Sequence, residues 1–298
     1  MPVAPETVTS NSKVSPSHLG RWNIVRKNTS VSFWLSLVVL VVIIGVAILA
    51  PWIAPHPPDR LYANGLTASG APLGPSARFL LGTDQFGRDE FSRLLWGGRP
   101  ALLISFTASI LSSVLGVLLG TTAGYLGGWV DTLITRLVNV LMSFPLTLFA
   151  VAIVLIVSPS IANLIGVIAA IYWTYTARLV RAEVLTLREQ EFVTAAFALG
   201  ASPFRVIWRH LIPNVLDTVL VRMVLTVAQV FLLEAGLSYL GVGVQPPTPD
   251  WGLMIAQSQN YYGSDPGLVI YPGLAIGITV LAVTALGESY RAKRRRKG

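Results

Sequence analysis

The sequence predicts an all-α polytopic membrane protein with six spans, and three observations carry that prediction. Hydrophobic residues make up 53% of the 298 and charged residues only 12%, where soluble chains carry about a quarter charged. The mean hydropathy is +0.64. The apolar residues also fall in runs of about 20, long enough to cross ~30 Å of hydrocarbon at 1.5 Å per residue. Backbone amides in lipid must find partners within their own segment, so each run is expected to be helical.

The elements follow in order. Residues 1–32 are polar, with Lys13, Arg21, Arg26 and Lys27 against one acid, Glu6. The uncharged stretch Phe33 to Ala50 then forms the first span, assigned to residues 33–54. A cleaved signal peptide is disfavoured, because the core exceeds the ~7–15 residues of a signal h-region and PWIAPHPP follows it. Residues 55–100 hold no spanning run. Spans two to six fit Ala101–Tyr125, Leu133–Val157, Ile161–Tyr175, Val215–Leu237 and Leu268–Leu286. Residues 101–287 thus form the core, with a polar loop at 177–213, and residues 288–298 form a basic tail.

Charge sets the expected orientation. The loop 177–213 carries Arg178, Arg181, Arg188, Arg205 and Arg209 against three acids, and RAKRRRK stands in the tail. These segments and the N-terminal one fall on one side of a six-span arrangement. Residues 51–100 have near-balanced charge, and residues 238–267 contain Asp250 and Asp265 with no base. The positive-inside rule makes both termini cytoplasmic. The net charge of +8 then reads as a topology signal or lipid-headgroup contact rather than a nucleic-acid site.

Several chemistries are excluded by residue type. There is no cysteine, hence no disulfide, thiolate metal site or thiol catalysis. His18, His56 and His210 are scattered and make no HExxH pattern, and no GxSxG occurs, so neither a metal site nor a hydrolase is expected. A P-loop needs a lysine after glycine to reach the terminal phosphates. None of Lys13, Lys27, Lys293 and Lys297 follows a glycine. If ATP drives this chain, a partner must hydrolyse it.

The loop between spans four and five is patterned. Val184, Leu185 and Leu187, then Phe192, Ala195, Ala196 and Leu199, recur at roughly helical spacing. Gly200 breaks the helix, and Ser202–Pro203 has the form of an N-cap with proline at the first helical position. A second amphipathic helix, with Phe204, Ile207, Trp208 and Leu211, is expected to end at Pro213. These two helices either form a compact knob or lie flat on the headgroups; periodicity alone leaves both open.

The text of this loop, FVTAAFALGASPFRVIWRHLIPN (192–214), resembles the cytoplasmic "EAA" loop of binding-protein-dependent ABC importer permeases. LLGTDQFGRDEFSRLLWGGRPALL (80–103), AGYLGGWVDTLITRLVNVLMSFP (123–145), LLEAGLSYLGVGVQPPTPDWGLM (232–254) and YPGLAIGITVLAV (271–283) are similar to blocks of the dipeptide/oligopeptide/nickel group, specifically its C-type subunits. The resemblance covers roughly residues 30 to 287 in consistent order. It implies the type I ABC importer permease fold in a bacterial-type inner membrane. The implied partners are a second, homologous permease, two ATPase subunits (or a fused one) holding ATP and magnesium, and an extracytoplasmic solute-binding protein. Neither a metal nor a cofactor is implied for this chain itself. The matching coupling positions are Thr194, Ala195, Ala196, Gly200 and Pro213, with Glu191, Ser202 and Pro203 beside them. Thr194 departs from the glutamate usual there, and Glu191 stands almost one turn earlier. Asn139 replaces a common aspartate, and the basic tail replaces an acidic ending. The expected function is half of a translocation pathway for di- or oligopeptides, or for a related solute such as a nickel chelate or glutathione. The alternative is a secondary transporter or channel coupled to no ATPase.

Other residues carry expectations of their own. Gly116, Gly120 and Gly124, like Gly273 and Gly277, are spaced to let helix backbones approach closely, within the subunit or at a seam with a second permease. Pro145 is expected to kink span three. Arg222, Gln229 and Glu234 are costly in a bilayer and are candidates for the pathway, with an architectural hydrogen bond equally open for Glu234. Asp131 and Arg136 are expected to pair locally. Asp84, Arg88 and Asp89 are expected on a capped surface helix with ion pairs, or at a docking surface or gate together with Trp251 in QPPTPDWG.

Overall fold

The computed structural model describes residues 17–294, with side chains from residue 31 onward. Helix α1 (Ser17–Ile53) is followed by a coiled segment, and α2 runs from Glu90 to Leu126. Next come α3 (Gly128–Met142), α4 (Leu146–Val157) and α5 (Ile161–Leu187). Two short helices, α6 (Glu191–Ala198) and α7 (Pro203–Val206), precede a π-helical turn at Ile207–Leu211 and the long α8 (Ile212–Tyr239). A short α9 (Trp251–Gln257) lies before α10 (Gly267–Arg294). Among the described residues five helices are long and apolar enough to cross a membrane, or six if α3 and α4 count as one bent span.

That pair is the main correction to the expected spans. The run 133–157 is no kinked helix but two helices meeting at 94°. Pro145 sits at the N-cap of α4, with φ −58° and ψ +120°, so its ring ends one helix and starts the next. The other boundaries move outward. Helix α2 begins 11 residues before the apolar run because Asp89 caps it, accepting from the Ser92 amide at 3.0 Å. Helix α5 continues through Leu187 into the expected loop, and α10 passes residue 286 to reach Arg294. Residues 1–16 and 295–298, with Lys13 and the end of the basic tail, lie outside the described residues.

The bundle is built on α2. Its Gly116, Gly120 and Gly124 face α5 so closely that a Cβ would meet Thr176 Cβ at 2.5 Å, Ala177 O at 2.6 Å and Val184 Cγ1 at 2.9 Å. That stripe is therefore an intrasubunit seam. At Gly273 and Gly277 of α10 nothing within this chain approaches. A buried cluster of Ile104, Ala108, Val154, Leu164, Ile168 and Leu237 ties α2, α4, α5 and α8 together. A second, with Leu40, Val227, Ala282 and Val283, brings α1 and α10 against α8. The outward faces of α1 and α10 stay apolar and exposed, as at Val38, Val41, Ile278 and Leu281, which suits helices bathed in lipid.

Candidate functional site

The knob grows out of α5. Arg188 caps that helix, and its Nη1 donates to Gly124 O at 3.2 Å, fixing where the chain leaves the bundle. After one turn, Glu191 opens α6. Gly200 takes φ +78°, the left-handed conformation that side chains with a Cβ resist. The Ala201 amide reaches back to Ala196 O at 3.0 Å, and the Leu199 amide to Ala195 O, which closes α6 as a glycine C-cap. Ser202 Oγ then accepts from the Arg205 amide at 3.4 Å with Pro203 in the first turn, the expected cap.

Pro213 behaves differently from expectation. It does not end the second helix; it lies in the first turn of α8, where a missing amide hydrogen costs nothing. The π-helical turn absorbs its ring, so α7, the turn and α8 run on without a gap.

Val193, Val206 and Leu211 are buried against Val180, Val184 and Val215, so the knob packs onto the bundle. The second helix's apolar set is divided. Leu211 points inward, whereas Phe204 and Trp208 are 70% and 51% exposed with rings 5.9 Å apart. Leu199 is 88% exposed and Phe192 40%. Thr194 and Ala195 are also exposed, Ala196 is half-buried, and Glu191 is solvent-facing. The knob thus presents a bulky apolar tip beside the small residues. The sequence marks the small residues and the apolar stripe of the second helix but not the direction that each member of the stripe faces. Helical spacing cannot say which half of a four-residue stripe the π-turn rotates outward.

Above the knob, charged groups bridge the helices. Asp131 of α3 takes Arg181 of α5 in a two-pronged ion pair, Nη2 to Oδ2 being 2.6 Å, and accepts from Thr135 at 3.1 Å. The expected partner Arg136 is not the one used: it shares a helix with Asp131 five residues on, off its face, while Arg181 crosses from the facing helix. Thr218 Oγ1 donates to Glu183 at 3.0 Å across α8 and α5. One turn up, Arg222 stands over the Tyr175 ring at 5.4 Å and its Nη2 donates weakly to Gln229 at 3.4 Å. Arg222, Arg178, Tyr175, Met142 and Leu179 line a cavity of about 330 Å³.

The opposite end of the bundle is a tight polar cap. Asp84, Arg88, Asp89 and Trp251 are all nearly or wholly buried, which corrects the expected surface helix. Asp84 receives Arg88 Nε at 2.6 Å and Arg93 Nε at 3.3 Å. Arg93 Nη1 also donates to Pro58 O at 3.0 Å, and Arg88 Nη2 to Gln257 at 3.3 Å. Trp251 lies over Gly97 and Gly98, and its Nε1 donates to Leu94 O at 2.8 Å. These groups hold α2, α9 and the 54–89 segment together.

Glu234 lies deep inside the bundle. It is fully buried, and Ser238 Oγ donates to its Oε1 at 2.9 Å while accepting from the Val244 amide at 3.0 Å. Its carboxyl neighbours that of Asp250, which caps α9 by accepting from the Leu253 amide at 3.1 Å. Burial pushes the Asp250 carboxyl up to about 6, against the opposing hydrogen bond from the Leu253 amide. Among the described residues no three His, Asp or Glu side chains come within metal-binding reach of one another.

Residues 116–293 match the family described as "Binding-protein-dependent transport system inner membrane component". Residues 22–72 match "N-terminal TM domain of oligopeptide transport permease C". The chain is 38% identical to the di/tripeptide transport system permease protein DppC of Pseudomonas aeruginosa, covering 86% of this chain and 84% of the relative. It is also 38% identical to a putative peptide transport system permease protein of Brucella suis, over 87% and 86% of the two chains. To the glutathione transport system permease protein GsiD of Shigella flexneri it is 39% identical, over 85% and 82%.

Proposed function

Since this chain belongs to the binding-protein-dependent transport system inner membrane component family, we propose that it is the permease subunit of an ABC importer, forming half of a translocation pathway for di- or oligopeptides or a related solute. The relatives named for peptide, dipeptide and glutathione transport support that solute class. ATP and its magnesium are bound by two partner ATPase subunits, or a fused one, and this chain performs no hydrolysis. A second, homologous permease completes the pathway, and a solute-binding protein delivers cargo at the end capped by Asp84, Arg93 and Trp251. Both termini and the knob lie in the cytosol.

The observation that carries this reading is the knob's exposed apolar tip. Leu199, Phe204 and Trp208 are exposed on an element anchored to the bundle through Val193 and Val206. An exposed apolar patch on a rigid support marks a protein contact. Beside them Thr194, Ala195 and Ala196 leave room for a cleft wall to approach. ATP binding closes the two ATPases, their clefts displace the docked knobs, and packed helices shift as rigid units, exchanging inward for outward access. Thr194 has no charge to offer, so docking here rests on apolar contact and shape, with Glu191 beside it.

Uptake of a labelled peptide into vesicles containing the assembled complex tests the proposal. Ala196→Arg and Gly200→Val are expected to leave membrane insertion intact, cut ATP-dependent uptake at least tenfold and weaken co-purification with the ATPase. Normal uptake in both variants would refute the assignment of the knob. Uptake by the chain with no ATPase, driven by an ion gradient, would replace the importer with a secondary transporter.

A further inference from the structure

We infer that Arg222 and Arg178 together form a receptor in the translocation pathway for the carboxylate of the transported solute; this rests on the importer reading above. Arg222 lies on α8 about 15 Å from Ile212 by helical rise, and Arg178 lies on α5 about 13 Å from Leu187. Both therefore sit toward the knob end of the bundle, at the 330 Å³ cavity they share with Tyr175, Met142 and Leu179.

Their lack of acidic partners sets them apart from nearby arginines. Arg181, three residues beyond Arg178, is gripped by Asp131, and Arg93 at the far end is held by Asp84. Among the described residues neither Arg178 nor Arg222 has a carboxylate within ion-pair distance. Arg222 Nε is buried with no hydrogen-bond partner at all, and its one side-chain bond, to Gln229, is 3.4 Å long. The Tyr175 ring beneath it steadies the guanidinium through its π-face and leaves the N–H edge free. A buried N–H without an acceptor is costly, and two guanidiniums at one cavity repel each other. An oxyanion relieves both costs, and the planar fork of arginine matches a carboxylate.

Every unblocked peptide carries such a group at its C-terminus, and glutathione carries two. The same pair of cations repels the peptide's ammonium. A solute passing this cavity is thus turned carboxylate-first toward the knob end.

The test uses the complete complex in proteoliposomes, with dialanine and dialanine amide as probes supplied at concentrations that load the binding protein equally. In the wild type, dialanine is expected to enter about tenfold faster than the amide, the worth of one charge-assisted hydrogen bond. Arg222→Gln narrows that ratio to within about twofold by slowing dialanine rather than by speeding the amide. Arg222→Lys keeps an intermediate ratio, and Arg178→Gln provides a second route should Arg222→Gln fail to assemble. An unchanged ratio in Arg222→Gln and Arg178→Gln would overturn the inference. So would a defect that follows the anionic-lipid content of the vesicles and ignores the peptide's carboxylate, because the cavity then holds a lipid phosphate. Failure of the wild type to take up either peptide would count against the importer reading instead.

Discussion

Asp250 shows what a single residue contributes at the end away from the knob. Its carboxyl caps α9 while buried beside Glu234 and Ser238, and that burial raises its pKa from 3.8 to about 6. The folded state keeps a proton that the unfolded chain releases near pH 4. Stability from this group is therefore complete below about pH 4 and is lost as pH rises to 6. The thermal midpoint of the purified protein should fall between pH 4.5 and 6.5, and Asp250→Asn, which can still cap, should flatten that slope. A wild-type midpoint rising over this interval would contradict the assignment. Gly200 is the other residue on which local geometry depends. Open space surrounds it, so Gly200→Val acts through its φ of +78° and not through any clash, which is why the helices beyond the bend are expected to stay inserted.

At the scale of elements, α2 and α5 make the most extensive contact in the bundle. A side chain at Gly120 meets the backbone oxygen of Ala177 at 2.6 Å, and backbone cannot swing aside as a flexible side chain does. Gly120→Leu should cost about 3 kcal/mol, the upper end for overpacking, and should lower the thermal midpoint measurably. Gly273→Leu, where nothing lies within 4 Å, should leave it in place; equal losses in both would mean that the seam is not special. Four-residue glycine spacing marked this stripe as a close approach but left open whether it lay within the subunit or between subunits, whereas the Gly200 bend and the Ser202 cap were legible outright. The 94° break at Pro145 was not. Proline announces a lost hydrogen bond, but whether a helix bends a little or stops depends on what α5 and α8 pack against its second half. For the same reason the fate of Pro213 was misjudged, since a proline closing one helix and a proline opening the next look identical in sequence.

Across the whole molecule, hydropathy located the apolar helices because lipid imposes one length on all of them. The polar cap was hidden. Asp84, Arg88, Asp89 and Arg93 look like a solvated surface in sequence, and only long-range contacts with Pro58 and Gln257 bury them. Arg222 and Gln229 were recognised as costly, yet Arg178, the second cation of the cavity beside Arg222, passed as loop charge because α5 was read as ending before it. The chain contains no cysteine, so single cysteines can report sidedness without background. Leu199→Cys and Ser264→Cys, both at exposed positions, should react with an impermeant maleimide from opposite faces of sealed vesicles, Leu199→Cys from the cytosolic one. Labelling of Leu199→Cys from the outer face and Ser264→Cys from the cytosolic one would reverse the proposed orientation, and labelling of both from the same face would refute the single crossing between them.

The absence of a gap between α7, the π-helical turn and α8 has a mechanical consequence. Pro203 to Tyr239 is a single rod of 37 residues, about 55 Å long, whose foot is the aromatic tip and whose head abuts Asp250 and α9. Tilted by roughly 10° about its middle, such a lever sweeps its two ends about 5 Å in opposite directions. On the docking proposed above, force gripped at Phe204 and Trp208 would pass along this lever to its far end beside α9 in one stroke.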